Sequence, residues 1–343
     1  MTERTFATSD EKKHRGRLIE RKNSEVKLKE NKSKKIQALK INEESEKEFS
    51  DYIKAGKIAI EVKKYAKEII KEGMLLLDIA KKIENKIHDL GGELAFPVNL
   101  SIDDIAAHYH PSIDDETKAS GILKVDIGIH INGSVADSSF SLDLTKENKY
   151  KELIKASEEA LNSAITLLKK NPDSSLNDIG LSIQSAIQKK GFSPIINLSG
   201  HSLKKYILHA GITIPNYANG SNKILESGAY AIEPFATIGE GKVYEGPQSN
   251  IYKIISFKTP RSKIAREILE YVNKKYKTLP FSLREMQEKF GSIARLAMKE
   301  LEQQKICHNF PQLIEISHKP VSQAEHTIIK TSDGKILVTT QDL

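Results

Sequence analysis

Apolar and polar residues alternate strictly through one stretch near the middle of the chain. In Lys124-Val125-Asp126-Ile127-Gly128-Ile129-His130-Ile131 the isoleucines take every second place, the period of a half-buried strand. Asn132-Gly133 follows, a pair that suits a two-residue type I′ turn because both residues tolerate positive φ. The spacing predicts a hairpin in which Ile131 faces Ser134 and Gly128 faces Asp137. Asp126 and Asp137 then become diagonal neighbours on one face, roughly 7–8 Å apart between α-carbons. Gly128 is expected to leave open space beside them. Unpaired carboxylates so placed would repel and their pKa values would separate; a divalent cation between them removes the conflict. On an arbitrary hairpin such a pair is more often two polar residues on a solvated face. The rest of the chain has to decide.

Elsewhere the period lengthens to that of a helix. Tyr52, Gly56, Ala59, Val62, Ala66 and Ile69 predict a helix from near Phe49 towards Gly73. Leu76, Ala80, Ile83, Ile87 and Leu90 predict a second, stopped by Gly91-Gly92. Leu153, Ala156, Ala160 and Ala164 mark a helix within 146–170, broken at Asn171-Pro172-Asp173, and Leu176 to Lys190 starts another. Between these lie short apolar runs that read as strands: Ala95 to Ser101, Ile195 to His201, and Gly228 to Phe235 with Glu233 near its end. The segments Gln323 to Ile329 and Lys335 to Thr339 flank Asp333-Gly334 as a second hairpin. From 260 to 320 the stripes Ile264, Ile268, Tyr271 and Met286, Phe290, Ile293, Leu296, Leu301 predict an inserted helical subdomain. A hairpin with metal-type carboxylates in each half suggests a duplicated, pseudo-symmetric α/β fold.

Composition narrows the chemistry. Cys307 is the single cysteine, so an internal disulfide and a thiolate zinc cage are both excluded. A metal site must be built from His, Asp and Glu, which suits harder or borderline cations. No apolar run approaches the roughly 18 residues of a membrane span, and the charged N-terminus lacks a signal core; a cytoplasmic, membrane-free protein is expected. The net charge of +7 is uneven. Residues 12–40 hold twelve Lys or Arg against three Glu, giving +9 and leaving −2 for everything else. Residues 1–48 therefore read as a basic, disordered extension, and 49–343 as the folded domain. The extension is either a solvated tail or an electrostatic attachment to RNA, with the ribosome as the expected partner.

Asp126, Asp137, His201, Glu233 and Glu325 together offer four carboxylates and one imidazole at strand ends or on strands. That set suits a pair of Mn, Fe, Co or Zn ions about 3.5–4 Å apart. Singly each is weak: a strand glutamate is more often a surface residue, and a histidine after glycine more often a cap. As an ordered set they persuade.

In this set and its surroundings the chain resembles the type II methionine aminopeptidases in their archaeal form. The likeness runs from about Phe49 to Leu343. It is carried by Ala95-Phe96-Pro97 with Ala106-Ala107-His108-Tyr109, by Val125-Asp126-Ile127-Gly128 with Asp137, and by Gly200-His201-Ser202. Leu208-His209-Ala210-Gly211, Ala231-Ile232-Glu233-Pro234 and Gln323-Ala324-Glu325-His326-Thr327 complete it. The helical stretch 260–320 matches the type II insertion in place and length.

The resemblance implies a pita-bread fold with a dinuclear metal centre, removal of N-terminal methionine from nascent chains when the next residue is small, and a monomeric enzyme. Asp126 and Asp137 look like the hairpin ligands, with Asp137 and Glu325 bridging and His201 and Glu233 completing one metal. Glu233 would also shuttle a proton. His108 and His209 would contact substrate, and Phe96 and Leu208 would line the methionine pocket. After Phe96-Pro97 this chain has Val-Asn-Leu-Ser, where relatives often carry Thr-Asn or Thr-Gly, a change at the pocket rim. Two other readings follow from the same fold. One is a non-catalytic ribosome- or RNA-binding protein, which the filled ligand positions oppose. The other is a proline-directed peptidase, which the insertion and the Glu233 and Glu325 contexts oppose.

Overall fold

The computed structural model describes residues 49–342, so the basic stretch 12–40 lies outside the described residues. Two helices open the fold, α1 (Ser50–Ile69) and α2 (Leu76–Asp89). The buried side of α1 is built from small residues (Ala55, Gly56, Ala59, Val62 and Ala66), which lets it lie close on the sheet beneath. Strands β1 (Glu93–Leu94), β2 (Asn99–Ile102), β3 (Ile105–Ala107), β4 (Ile122–Ile131) and β5 (Ser134–Asp143) follow. The predicted hairpin is present in the predicted register: Ile131 pairs with Ser134 and Gly128 with Asp137. Asn132 and Gly133 take φ of 51° and 89°, as a type I′ turn requires. Strand β4 also pairs with β1 and β2.

A second round of the same kind begins with α3 (Lys151–Lys170) and α4 (Leu176–Lys189). The lengths match those of α1 and α2, 20 and 14 residues in each pair. Then come β6 (Ser193–Pro194), β7 (Ser199–Leu203), β8 (Thr213–Pro215), β9 (Gly228–Ile232), β10 (Phe235–Thr237) and β11 (Val243–Ile254). Strand β7 starts later than the apolar run suggests. The reason is Asn197, whose side chain donates to Val243 O (2.7 Å) and accepts from Val243 N (2.9 Å). A side chain does there what a strand neighbour would otherwise do.

Residues 260–320 mix helix and strand. Helices α5 (Lys263–Lys275), α6 (Leu283–Phe290) and α7 (Ala294–Gln303) carry the apolar stripes, while β12 (Phe281–Ser282) and β13 (Cys307–Glu315) pair with β11. The helical pattern therefore stops at α7, and β13 returns along β11 to pair with β3. This places Phe310 and Pro311 beside the first half of the chain. Strands β14 (Val321–Gln323), β15 (His326–Lys330) and β16 (Ile336–Val338) close the fold, with β15 and β16 paired around the predicted second turn. The order β16-β15-β9-β7-β8 makes the second large sheet.

Two large hydrophobic clusters and a smaller one around Ala106, Ile195, Phe235, Val243 and Val321 form among the described residues. One large cluster packs α1 and α2 on the β4–β5 hairpin through Val62, Ile79, Ile83, Ile127 and Ile129. The other packs α3 and α4 on the second sheet through Ala160, Ile179, Ile183, Ile232 and Ile328. Among the described residues no helix is long and apolar enough to cross a membrane.

Candidate metal centre

Hydrogen bonds across the two sheets bring the carboxylates together. Asp137 N donates to Thr327 Oγ1 (2.7 Å), and that hydroxyl donates back to Asp137 O (2.8 Å). One side chain thus ties β5 to β15. Four residues further along β5, Ser141 Oγ donates to Gln323 O of β14 and accepts from Gln323 N, and Glu325 N donates to Ser139 O. The second sheet aligns His201, Ala231 and Thr327 as cross-strand partners. Glu233 lies just beyond β9, with its carbonyl held by Asn216 Nδ2. Five residues spread over two hundred positions converge for these backbone reasons.

All nine residues singled out from the sequence line one cavity of about 420 Å³: Asp126, Asp137, His201, Glu233, Glu325, His108, His209, Phe96 and Leu208. Donor atoms of Asp137, His201 and Glu325 lie within 4.8 Å of one another. His201 Nε2 stands 3.6 Å from an oxygen of Asp137 and 3.6 Å from one of Glu233. A dication about 2.1 Å from each donor needs them some 3–4 Å apart, so this spacing fits one.

Electrostatics point the same way. Burial and mutual repulsion push Asp137, Glu233 and Glu325 well above the usual carboxylate range, and burial pushes Asp126 up to about 7. Burial, helped by His209, holds His201 down at about 3, so its imidazole is neutral and its lone pair is free. Asp126 Oδ1 and Glu325 Oε2 are buried with no hydrogen-bond partner among the described residues. Four crowded acids and two orphaned oxygens are costly as they stand. Divalent cations reverse that cost, and the donor set, oxygen-rich with one imidazole, is the one such ions take.

The two histidines expected to contact substrate, His108 and His209, line the same cavity. His108 adopts φ of 67°, and its Nδ1 donates to Pro311 O at 3.0 Å, which leaves Nε2 as an acceptor. Phe310 packs edge-on against it, ring centres 5.7 Å apart. His209 packs edge-on against His201 at 4.4 Å and is held near 4 by burial and by His108. One expectation needs correction. The space beside Gly128 is not open: the Phe96 ring fills it, with atoms 2.1–2.7 Å from where a Cβ would stand.

Sequence reasoning passed over several residues at this site. Asn99, the first residue of β2, lines the cavity, and its Nδ2 donates to Pro97 O (3.1 Å); nothing in its local sequence marks it as a cavity residue. Phe310 and Pro311 carried no signal because a strand two hundred residues away delivers them. Thr327 stood inside a quoted motif, and only the sheet pairing reveals its task.

Residues 50–256 match metallopeptidase family M24. The methionine aminopeptidase of Methanocaldococcus jannaschii is 41% identical over 263 residues, covering 76% of this chain and 87% of that protein. The methionine aminopeptidase of Pyrococcus horikoshii is 42% identical over 268 residues, covering 76% and 89%. The chain belongs to metallopeptidase family M24. Solved structures show the M24 pita-bread fold independently of close sequence. A thermophilic Arx1 superposes with a TM-score of 0.73 at 17% identity, covering 86% of this chain and 91% of the other. The Rickettsia prowazekii methionine aminopeptidase does so with 0.61 at 20% identity, covering 86% and 98%. Likeness at that identity speaks for fold alone. Within M24 the sequence relatives, not the fold, carry the functional argument.

Proposed function

We infer that the protein is a methionine aminopeptidase that removes the first residue of nascent chains, with two divalent ions (Mn, Fe, Co or Zn) as cofactor. The observation that carries this is the cavity itself: five metal-type donors and two further histidines face one space, in a chain 41–43% identical to methionine aminopeptidases along most of their length.

Asp126, Asp137, His201, Glu233 and Glu325 would hold the ions, which when bound would lower the pKa of a water and polarise the peptide carbonyl. The chain's own residues do the rest. Glu233, at the edge of the donor set, takes the proton of the attacking water as its oxygen bonds to the carbonyl carbon, and then delivers that proton to the amine as the tetrahedral intermediate collapses and the C–N bond breaks. The neutral His209 donates to the carbonyl oxygen as it gains charge. His108, fixed by Pro311 O in the tautomer with a free Nε2 lone pair, accepts the N–H of the scissile amide. Phe96 and Leu208 line the same cavity and form apolar wall for the methionine side chain.

The direct test is methionine release from a Met-Ala-Ser peptide by chelator-treated protein, before and after adding Mn. Release only with metal is the expected result. Turnover that ignores the chelator would remove the metal from the mechanism. No release with any of Mn, Fe, Co or Zn would return the non-catalytic reading.

A further inference from the structure

Gly128 and Asp126 lie two residues apart on β4 and share a face of the sheet, and Gly128 sits directly opposite Asp137 across the hairpin. Both aspartates line the catalytic cavity. The missing side chain of Gly128 therefore points to the cavity side. What stands there is Phe96, whose Cε1, Cδ1 and Cζ are 2.1, 2.3 and 2.7 Å from an ideal Cβ on Gly128. The ring lies on bare backbone, closer to the sheet than any side chain at position 128 would permit.

The segment bearing the ring cannot retreat to make room. On one side Ala95 N donates to Gly128 O at 2.9 Å. On the other, Asn99 Nδ2 donates to Pro97 O at 3.1 Å, and Asn99 is itself paired with Asp126 in the sheet. Phe96 is thus pinned fore and aft to the strands that carry Gly128 and Asp126. An added methyl group would push the ring off the sheet, towards the cavity that Phe96 lines.

We propose that Gly128 is a specificity-determining residue: by seating the Phe96 ring flush on the strand it sets the depth of the pocket for the substrate's first side chain. The chemical class selected is a long, unbranched apolar side chain. The proposal rests on the aminopeptidase reading given above. In this arrangement the donor set fixes the chemistry, and the glycine beside it fixes the side-chain length.

The experiment compares the metal-loaded full-length protein with Gly128→Ala, Phe96→Leu and the double variant, on Met-Ala-Ser and on the same peptide beginning with norvaline, which is shorter. In Gly128→Ala the ratio of kcat/KM for methionine over norvaline should fall about tenfold, the range one methylene commands in an apolar pocket. The double variant should recover most of that ratio, because leucine gives back the volume that the methyl takes. Melting temperature and bound metal, measured on each variant, report any collapse of fold or centre. An unchanged ratio in Gly128→Ala overturns the proposal. So does a fallen ratio that Phe96→Leu does not restore, since the methyl would then act through the strand and the metal donors instead of the ring. Wild-type protein that cleaves neither peptide is a different failure, and it belongs to the aminopeptidase reading.

Discussion

The two halves of the fold are built from the same parts and yet supply the site in different ways. Each begins with helices of 20 and 14 residues laid on an antiparallel sheet. The first half delivers its two carboxylates from a single hairpin closed by two residues. The second delivers His201, Glu233 and Glu325 from three strands or strand ends, with more than a hundred residues of chain between the first and the last. Even the helix starts differ. Helix α4 begins with a full capping box, in which Ser175 accepts from Asp178 N and the Asp178 carboxylate accepts from Ser175 N. Helix α2 has no side-chain cap, although the first amide of each helix donates to a distant backbone carbonyl, Leu76 N to Thr117 O and Leu176 N to Lys223 O. A duplicated architecture keeps its packing rules more faithfully than its polar details.

The largest effect should come from removing a donor in either half. Asp137→Asn and Glu325→Gln should each lower kcat/KM on Met-Ala-Ser at least ~1,000-fold, through loss of bound metal. If one half's donor proves dispensable in metal content and rate while the other does not, the equal partnership drawn here is wrong.

Next in size is a pH effect on the metal-free protein. Asp126, like its three acidic neighbours, has a pKa raised on folding, to about 7 from the usual carboxylate value. A carboxyl raised in this way contributes stability that is fully present below the unfolded-state pKa and is lost as pH climbs through the folded one. Chelated protein should therefore melt at progressively lower temperature between roughly pH 4 and 7, against a background of whatever other groups titrate there. Metal-loaded protein should lack that decline. Parallel curves for the two forms would show that the acids are not crowded in the way described.

The smallest effect tests the helix starts. Ser175→Ala should cost about 1 kcal/mol, the usual value of an N-cap, read from the denaturant midpoint at unchanged slope. Thr117→Ala keeps the backbone carbonyl that α2 uses and loses the bond between the Thr117 and Tyr109 hydroxyls (2.8 Å), so in a Tyr109→Phe background it should cost almost nothing. A loss there as large as that of Ser175→Ala would erase the contrast between the two helices.

The same contrast explains what was legible before any coordinates. Asp126 and Asp137 could be placed from spacing alone, because a two-residue turn fixes register and register fixes faces. The helices were legible because their apolar stripes repeat at 3.6 residues. Glu233 and Glu325 could be named only as members of an ordered set, since no local pattern distinguishes a donor from a surface acid. The strand at Cys307–Glu315 was hidden inside a region of helical texture, because its environment comes from β11 and β3 and its own sequence has no strict alternation. The Phe96 ring over Gly128 was missed for a related reason. A glycine announces an absence, and which neighbour fills it is a tertiary fact.

The hydroxyl of Thr327, bonded to both the amide and the carbonyl of Asp137, gives the molecule something of the character of a dimer written in one chain. The cavity lined by the five candidate donors lies along the seam between its halves, and neither half on its own supplies all five. Substitutions that loosen the seam would then lower activity without touching any donor, much as a weakened subunit interface silences a shared active site.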